Sequence, residues 1–223
     1  MKVLITGADG MLGSSICREA LSQGYEVRVM VLPGRTVSVL EGLDLTYCYG
    51  NLLDPESLYQ AVDGCDYVIN VAASTQMWPR RSEVIWKVNY HAVEHLVEAS
   101  KRFNVKRFVQ IGTANSFGHG SISEPGNELT PFNGGAYKMD YVDSKYKAQS
   151  YIIDQCKTGQ ISGVVINPTY MIGPFDSGPS SGKMLMALFM GSLPGYTSGI
   201  KNFVASKDVA VAAVNALTLG TSG

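Results

Sequence analysis

The 223-residue sequence has no block of lysine and arginine, no acidic tail and no Cys-x-x-Cys pair. It also lacks any uninterrupted apolar run near the ~18 residues that a membrane-spanning helix needs. The first absence argues against nucleic acid or an anionic membrane as a partner, because both demand clustered cations. The net charge is −1, which leaves small molecules as the expected partners. Four scattered cysteines (Cys17, Cys48, Cys65, Cys156) read as reduced thiols, and the chain as cytoplasmic. Only three histidines occur; His91 and His95 are spaced for one helix face, but no third metal ligand is placed by sequence, so no metal site is expected. What the chain does have is apolar material, 45% hydrophobic against 17% charged residues, enough for a sizeable core. The first strand candidate starts at Lys2, so no signal peptide is expected.

Short apolar runs alternate with helical periodicity. Strands are expected at "KVLIT" (2–6), "EVRVMVL" (26–32), "LTYCYGNL" (45–52), "YVINVAA" (67–73), "RFVQIGT" (107–113) and "GVVINP" (163–168). Helices are expected over 11–23, 55–62 behind an Asp54 cap, 83–103 and about 137–155. Strands that are apolar on both faces and separated by helices predict an α/β fold, a doubly wound parallel sheet. Residues 1–168 would form the dinucleotide-binding domain. Residues 169–223 are richer in turns, with a short helix near Met184–Met190 and a final helix capped by Ser206, and read as a small, incomplete substrate region.

Directly after the first strand comes "TGADGMLG", with Gly7, Gly10 and Gly13 at three-residue intervals. A pyrophosphate needs backbone N–H groups close to it and gains from a helix N-terminus behind them. Gly7 permits the tight turn, Gly10 lets the backbone approach, and Gly13 allows helix and strand to pack. No Gly-Lys-Ser/Thr follows, so this is not a P-loop.

Together with "YVDSK" (141–145), these glycines resemble the extended short-chain dehydrogenase/reductases, the NAD-dependent epimerase/dehydratase family with its Rossmann domain. "GNLLD", "NVAA", "VNYHAVEHLVEAS", "FVQIGTANSFG" and "INPTYMIGP" follow in family order, and "GYEVRVMVLPG", "LLDPESL" and "GCDYVINVAA" are most similar to the dihydroflavonol-4-reductase-like branch. The resemblance implies that Tyr141 exchanges a proton with the substrate, Lys145 supports it and holds the ribose, Thr113 bonds the substrate oxygen, and Asn89 assists the proton path. It implies a cofactor contact set of Gly7, Gly10, Met11, Leu12, Gly13, Asn51, Leu52, Val71, Ala72, Ala73, Pro168 and Thr169, joined by Tyr141 and Lys145. Residues four apart share a helix side, so Tyr141 and Lys145 are expected together, at the edge of the packed face.

Departures from the family pattern refine this. Ala114-Asn115 follows Thr113 where dehydratases carry an acidic pair, which argues against water elimination. Phe117 replaces the Tyr common in epimerases. The second strand ends in "VMVLPGR" with no acid to hold a ribose 2′-hydroxyl, and Arg28 and Arg35 are the cations available near Leu32. The expectation is therefore an NADP-preferring oxidoreductase acting on a small organic carbonyl or alcohol, with NAD as the alternative cofactor. A nucleotide-sugar epimerase with tightly held NAD and a non-catalytic NAD(P) sensor remain the alternatives. A homodimer, built through the helices carrying Asn89 and Tyr141, is implied by the resemblance alone.

Overall fold

A computed structural model describes residues 1–35, 37–176, 178, 181–195 and 198–223. Six strands, β1 (Lys2–Thr6), β2 (Glu26–Val31), β3 (Leu45–Tyr49), β4 (Tyr67–Asn70), β5 (Arg107–Ile111) and β6 (Gly163–Ile166), form one sheet in the order β3-β2-β1-β4-β5-β6. All five pairings are parallel. This is the doubly wound Rossmann architecture expected from the apolar runs.

Successive strand residues point to opposite faces, so one apolar run serves two cores. On one face Val3, Ile5, Val29 and Ile69 pack with Leu12, Ile16 and Ala20 of α1 (Met11–Ser22) and with Val209, Ala213 and Val214 of the last helix. On the other, Leu4, Val68 and Phe108 meet α2 (Pro55–Val62) through Leu58 and Val62. Asp54 caps α2 by accepting from the Glu56 N–H at 3.2 Å. The same core takes in Val93, Leu96 and Val97.

The helix expected over 83–103 is built as α3 (Glu83–Trp86), a π-helical turn (Lys87–His91) and α4 (Ala92–Arg102). The next helix, α5, runs Asp140–Lys157 rather than from 137, because Gly134–Tyr137 is a separate 3₁₀ turn and Lys138 then takes a positive φ of 51°. After β6 come β7 (Tyr170–Ile172), α6 (Gly182–Phe189), β8 (Phe203–Ala205) and α7 (Ser206–Asn215). β7 and β8, not anticipated in the sequence, pair in parallel as a second small sheet. Ser206 is the first helical residue and not the cap; Ala205 holds the cap position without a side-chain bond. The buried Ser206 hydroxyl instead lies 3.4 Å from that of Ser15 on α1.

Candidate functional site

The strand order reverses between β1 and β4, and a cleft of about 680 Å³ opens where the loops leaving these strands diverge. The glycine loop forms one wall. Gly7 has φ +64°, and a Cβ there would lie 2.7 Å from the Ala72 backbone. A Cβ on Gly13 would stand 2.1 Å from the Gly7 carbonyl oxygen, so α1 could not pack against the loop. Gly10 differs: its nearest protein atom would be 3.5 Å away, an ordinary contact. The protein does not require glycine at 10, but a ligand lying against that backbone does.

Gly10 is also the N-cap of α1, which has no side-chain cap and no acid in its first turn. The first intrahelical bond to Gly10 comes from Ser14, leaving the N–H groups of Met11, Leu12 and Gly13 for whatever lies in the cleft they line. An uncompensated helix N-terminus with an open glycine cradle fits a dinucleotide pyrophosphate.

Beneath the cleft the strand ends are tied by a buried polar chain that the sequence reading missed. Thr6 donates to Asn70, Asn70 donates to Gln110 at 2.9 Å, and the Thr6 oxygen accepts from Val71 and Ala72 N–H groups, each at 3.2 Å. A single polar residue near the end of each apolar run ("KVLIT", "YVIN", "RFVQI") was the available signal.

Of the expected cofactor contacts, Gly7, Gly10, Met11, Leu12, Gly13, Leu32, Arg35, Asn51, Leu52, Val71, Ala72, Ala73 and Lys145 line the cleft. Pro168, Thr169 and Tyr141 are not among its lining residues. Arg28 is a correction. Its guanidinium donates to the Ala61 and Asp63 carbonyls at 2.9 and 2.6 Å, satisfying the C-terminal end of α2, where a cation is favoured. Arg35 is thus the cation of that pair that reaches the cleft, and its Nε lies 3.5 Å from a carboxylate oxygen of Asp9, inside the glycine motif. Asp9, Thr75 and Asp176 are further polar lining residues that sequence reasoning did not single out.

α5 carries Tyr141 and Lys145 one turn apart, and of the two Lys145 lines the cleft. Lys145 is buried in the packed face rather than at its edge, and its ammonium donates to the Ile111 carbonyl at 2.6 Å. Burial pushes its pKa down from 10.5 to about 8. Burial raises the Tyr141 phenol, while a hydrogen bond with the Thr113 side chain opposes that shift. Thr113 is held in turn: its N–H donates to the Asn167 side chain at 2.9 Å, and its hydroxyl accepts from Asn115 N–H at 3.3 Å. Asn89 touches none of these atoms. From the π-helical turn it bonds both backbone groups of Ser74, at 2.7 and 3.0 Å, and donates to Ser144 on α5 at 3.3 Å. It locks the loop after β4 to the helix that carries Tyr141. Among the described residues no cluster of three or more His, Cys, Asp or Glu could hold a metal ion, and no helix is long and apolar enough to cross a membrane.

Comparison with known proteins agrees with this fold. Residues 3–223 match the family model described as NAD dependent epimerase/dehydratase. "Sterol demethylase protein B" of Methylococcus capsulatus is 28% identical, the match covering 100% of this chain and 68% of that protein. A Synechocystis protein provisionally named dihydroflavonol 4-reductase is 27% identical over 92% of this chain and 60% of its own length. The crystal structure of gox2253 superposes with a TM-score of 0.91 at 28% identity, covering 99% of this chain and 67% of that one. The chain therefore spans roughly 60 to 68% of these curated relatives.

Proposed function

Because the chain belongs to the NAD dependent epimerase/dehydratase family, we propose that it is an NADP-preferring oxidoreductase that reduces a carbonyl, or oxidises an alcohol, on a small organic molecule. The observation that carries this reading is the buried Lys145 ammonium, one helical turn from a Tyr141 phenol that meets the Thr113 hydroxyl. A lysine this deep is costly as a cation, and among the described residues no acid is paired with it. Partners with oxygen acceptors, such as ribose hydroxyls and an ionising phenol, would relieve that cost.

In this reading Gly10 and the first turn of α1 bind the pyrophosphate, and Lys145 orients the nicotinamide ribose. The nicotinamide, when bound, supplies or accepts the hydride. Tyr141 gives its hydroxyl proton to the developing substrate oxyanion, and Thr113 holds that oxygen by a hydrogen bond. A free tyrosine titrates near 10, so a neighbouring cation is what makes proton exchange competent near neutral pH. Asn89 acts as a positioning residue through Ser74 and Ser144. An apolar or aromatic substrate suits the adjoining surface, since Met171 lines the cleft and α6 carries Met186, Leu188 and Phe189 with no buried residue. We extend the proposal to a cytoplasmic homodimer formed through α4 and α5.

Tyr141→Phe tests the assignment. Turnover of NADPH with a carbonyl substrate should fall by about 10³-fold or more while NADPH affinity stays within about threefold, since proton transfer alone contributes 10²–10⁴. Turnover retained by Tyr141→Phe would overturn it.

A further inference from the structure

The end of β2, where a doubly wound fold meets the adenosine ribose, offers no acid: the chain reads Val31, Leu32, Pro33, Gly34, Arg35. The acid comes from the other wall. Asp9 sits between Gly7 and Gly10 and lines the cleft, and its carboxylate meets Arg35 at 3.5 Å. Both side chains keep water access, Arg35 at 64% and Asp9 at 28% exposure, so the pair can open without leaving a buried charge.

We infer that Asp9 and Arg35 together read the 2′ position of the cofactor's adenosine ribose, Asp9 accepting from a 2′-hydroxyl and Arg35 taking a 2′-phosphate in place of Asp9. The inference rests on the cleft being a dinucleotide site. An anionic phosphate and the Asp9 carboxylate compete for one guanidinium, and Asp9 adds like-charge repulsion at short range. A hydroxyl has neither conflict, because it can donate to Asp9 while the ion pair stays closed. Asp9 is thus a specificity residue that tempers, from within the glycine loop, the NADP preference that Arg35 confers.

The experiment titrates wild type, Asp9→Asn, Arg35→Gln and the double variant with NADPH and with NADH, following nicotinamide fluorescence, and compares the ratio of the two dissociation constants. Asp9→Asn should shift the ratio toward NADPH by about fivefold or more, and Arg35→Gln toward NADH by about tenfold. In the double variant the Asp9→Asn shift should be clearly smaller than in the single variant, because no guanidinium remains to be freed and only the lost repulsion and the lost hydroxyl acceptor still act. A ratio within twofold of wild type in Asp9→Asn, or single shifts that simply add, overturns the inference while leaving the dinucleotide site intact. If Asp9→Asn fails to fold, Asp9→Glu replaces it: with its charge kept, the ratio should stay within about threefold of wild type, and a larger shift toward NADPH overturns the inference. If wild type binds neither nucleotide, the cleft assignment fails and the inference falls with it.

Discussion

Burial sets the behaviour of Lys145. Its ammonium is pushed from 10.5 to about 8, so between those values the unfolded chain holds a proton that the folded protein has released. Stability contributed by this group therefore rises with pH from about 8 to 10.5, and the full penalty applies below pH 8. Comparing wild type with Lys145→Met cancels the other titrating groups. Urea unfolding should show wild type gaining on the variant by up to about 3 kcal/mol over that range; parallel curves would contradict it. The sequence placed Tyr141 and Lys145 on one side of a helix, which follows from spacing alone. It put the pair at the edge of the packed face because the carbonyl that receives Lys145, that of Ile111, lies 34 positions away and only strand order brings it there. Arg28 failed for a similar reason: the carbonyls that occupy it, Ala61 and Asp63, belong to the far end of the next helix.

The glycine loop separates structure from binding at neighbouring positions. Gly13→Ala forces a Cβ to 2.1 Å from a carbonyl oxygen, so it should destabilise the protein by more than about 3 kcal/mol. Gly10→Ala meets nothing closer than 3.5 Å and should cost less than about 1 kcal/mol. Thermal unfolding of both variants checks the contrast, and equal losses would refute it. The π-helical turn makes a second element-scale case. Asn89→Ala removes bonds to Ser74 and Ser144 and leaves buried groups unpaired, so about 1–3 kcal/mol of stability should go, with kcat falling more than cofactor affinity. An unchanged kcat would remove Asn89 from the positioning role. The six-strand sheet was legible because each long strand is an apolar run bounded by turn residues. β7 and β8 were not, since each has three residues and its partner lies some thirty positions distant. The π-helical turn was hidden too, because helical periodicity over 83–103 survives one widened turn.

At the scale of the whole molecule, the parallel order with its reversal between β1 and β4 fixes where a ligand can enter, and the segments following β1, β2, β3 and β4 supply most of the walls. Sequence patterning anticipated that architecture, which follows from local spacing, while the lining residues that were expected came from the family resemblance. It did not give the pairing of Asp9 with Arg35 or the polar chain from Thr6 to Gln110, which exist only once distant segments meet. The proposed dimer through α4 and α5 predicts a solution mass of twice 24.0 kDa by light scattering, and a monomer mass would contradict it. A cleft that is a dinucleotide site shaped around Gly10 is tested by a fluorescence titration of wild type and Gly10→Ala with NADPH. Wild type should bind saturably, and a Gly10→Ala protein that unfolds within a few degrees of it should bind at least tenfold more weakly. Absence of binding by wild type, or equal binding by the two proteins, would contradict that assignment.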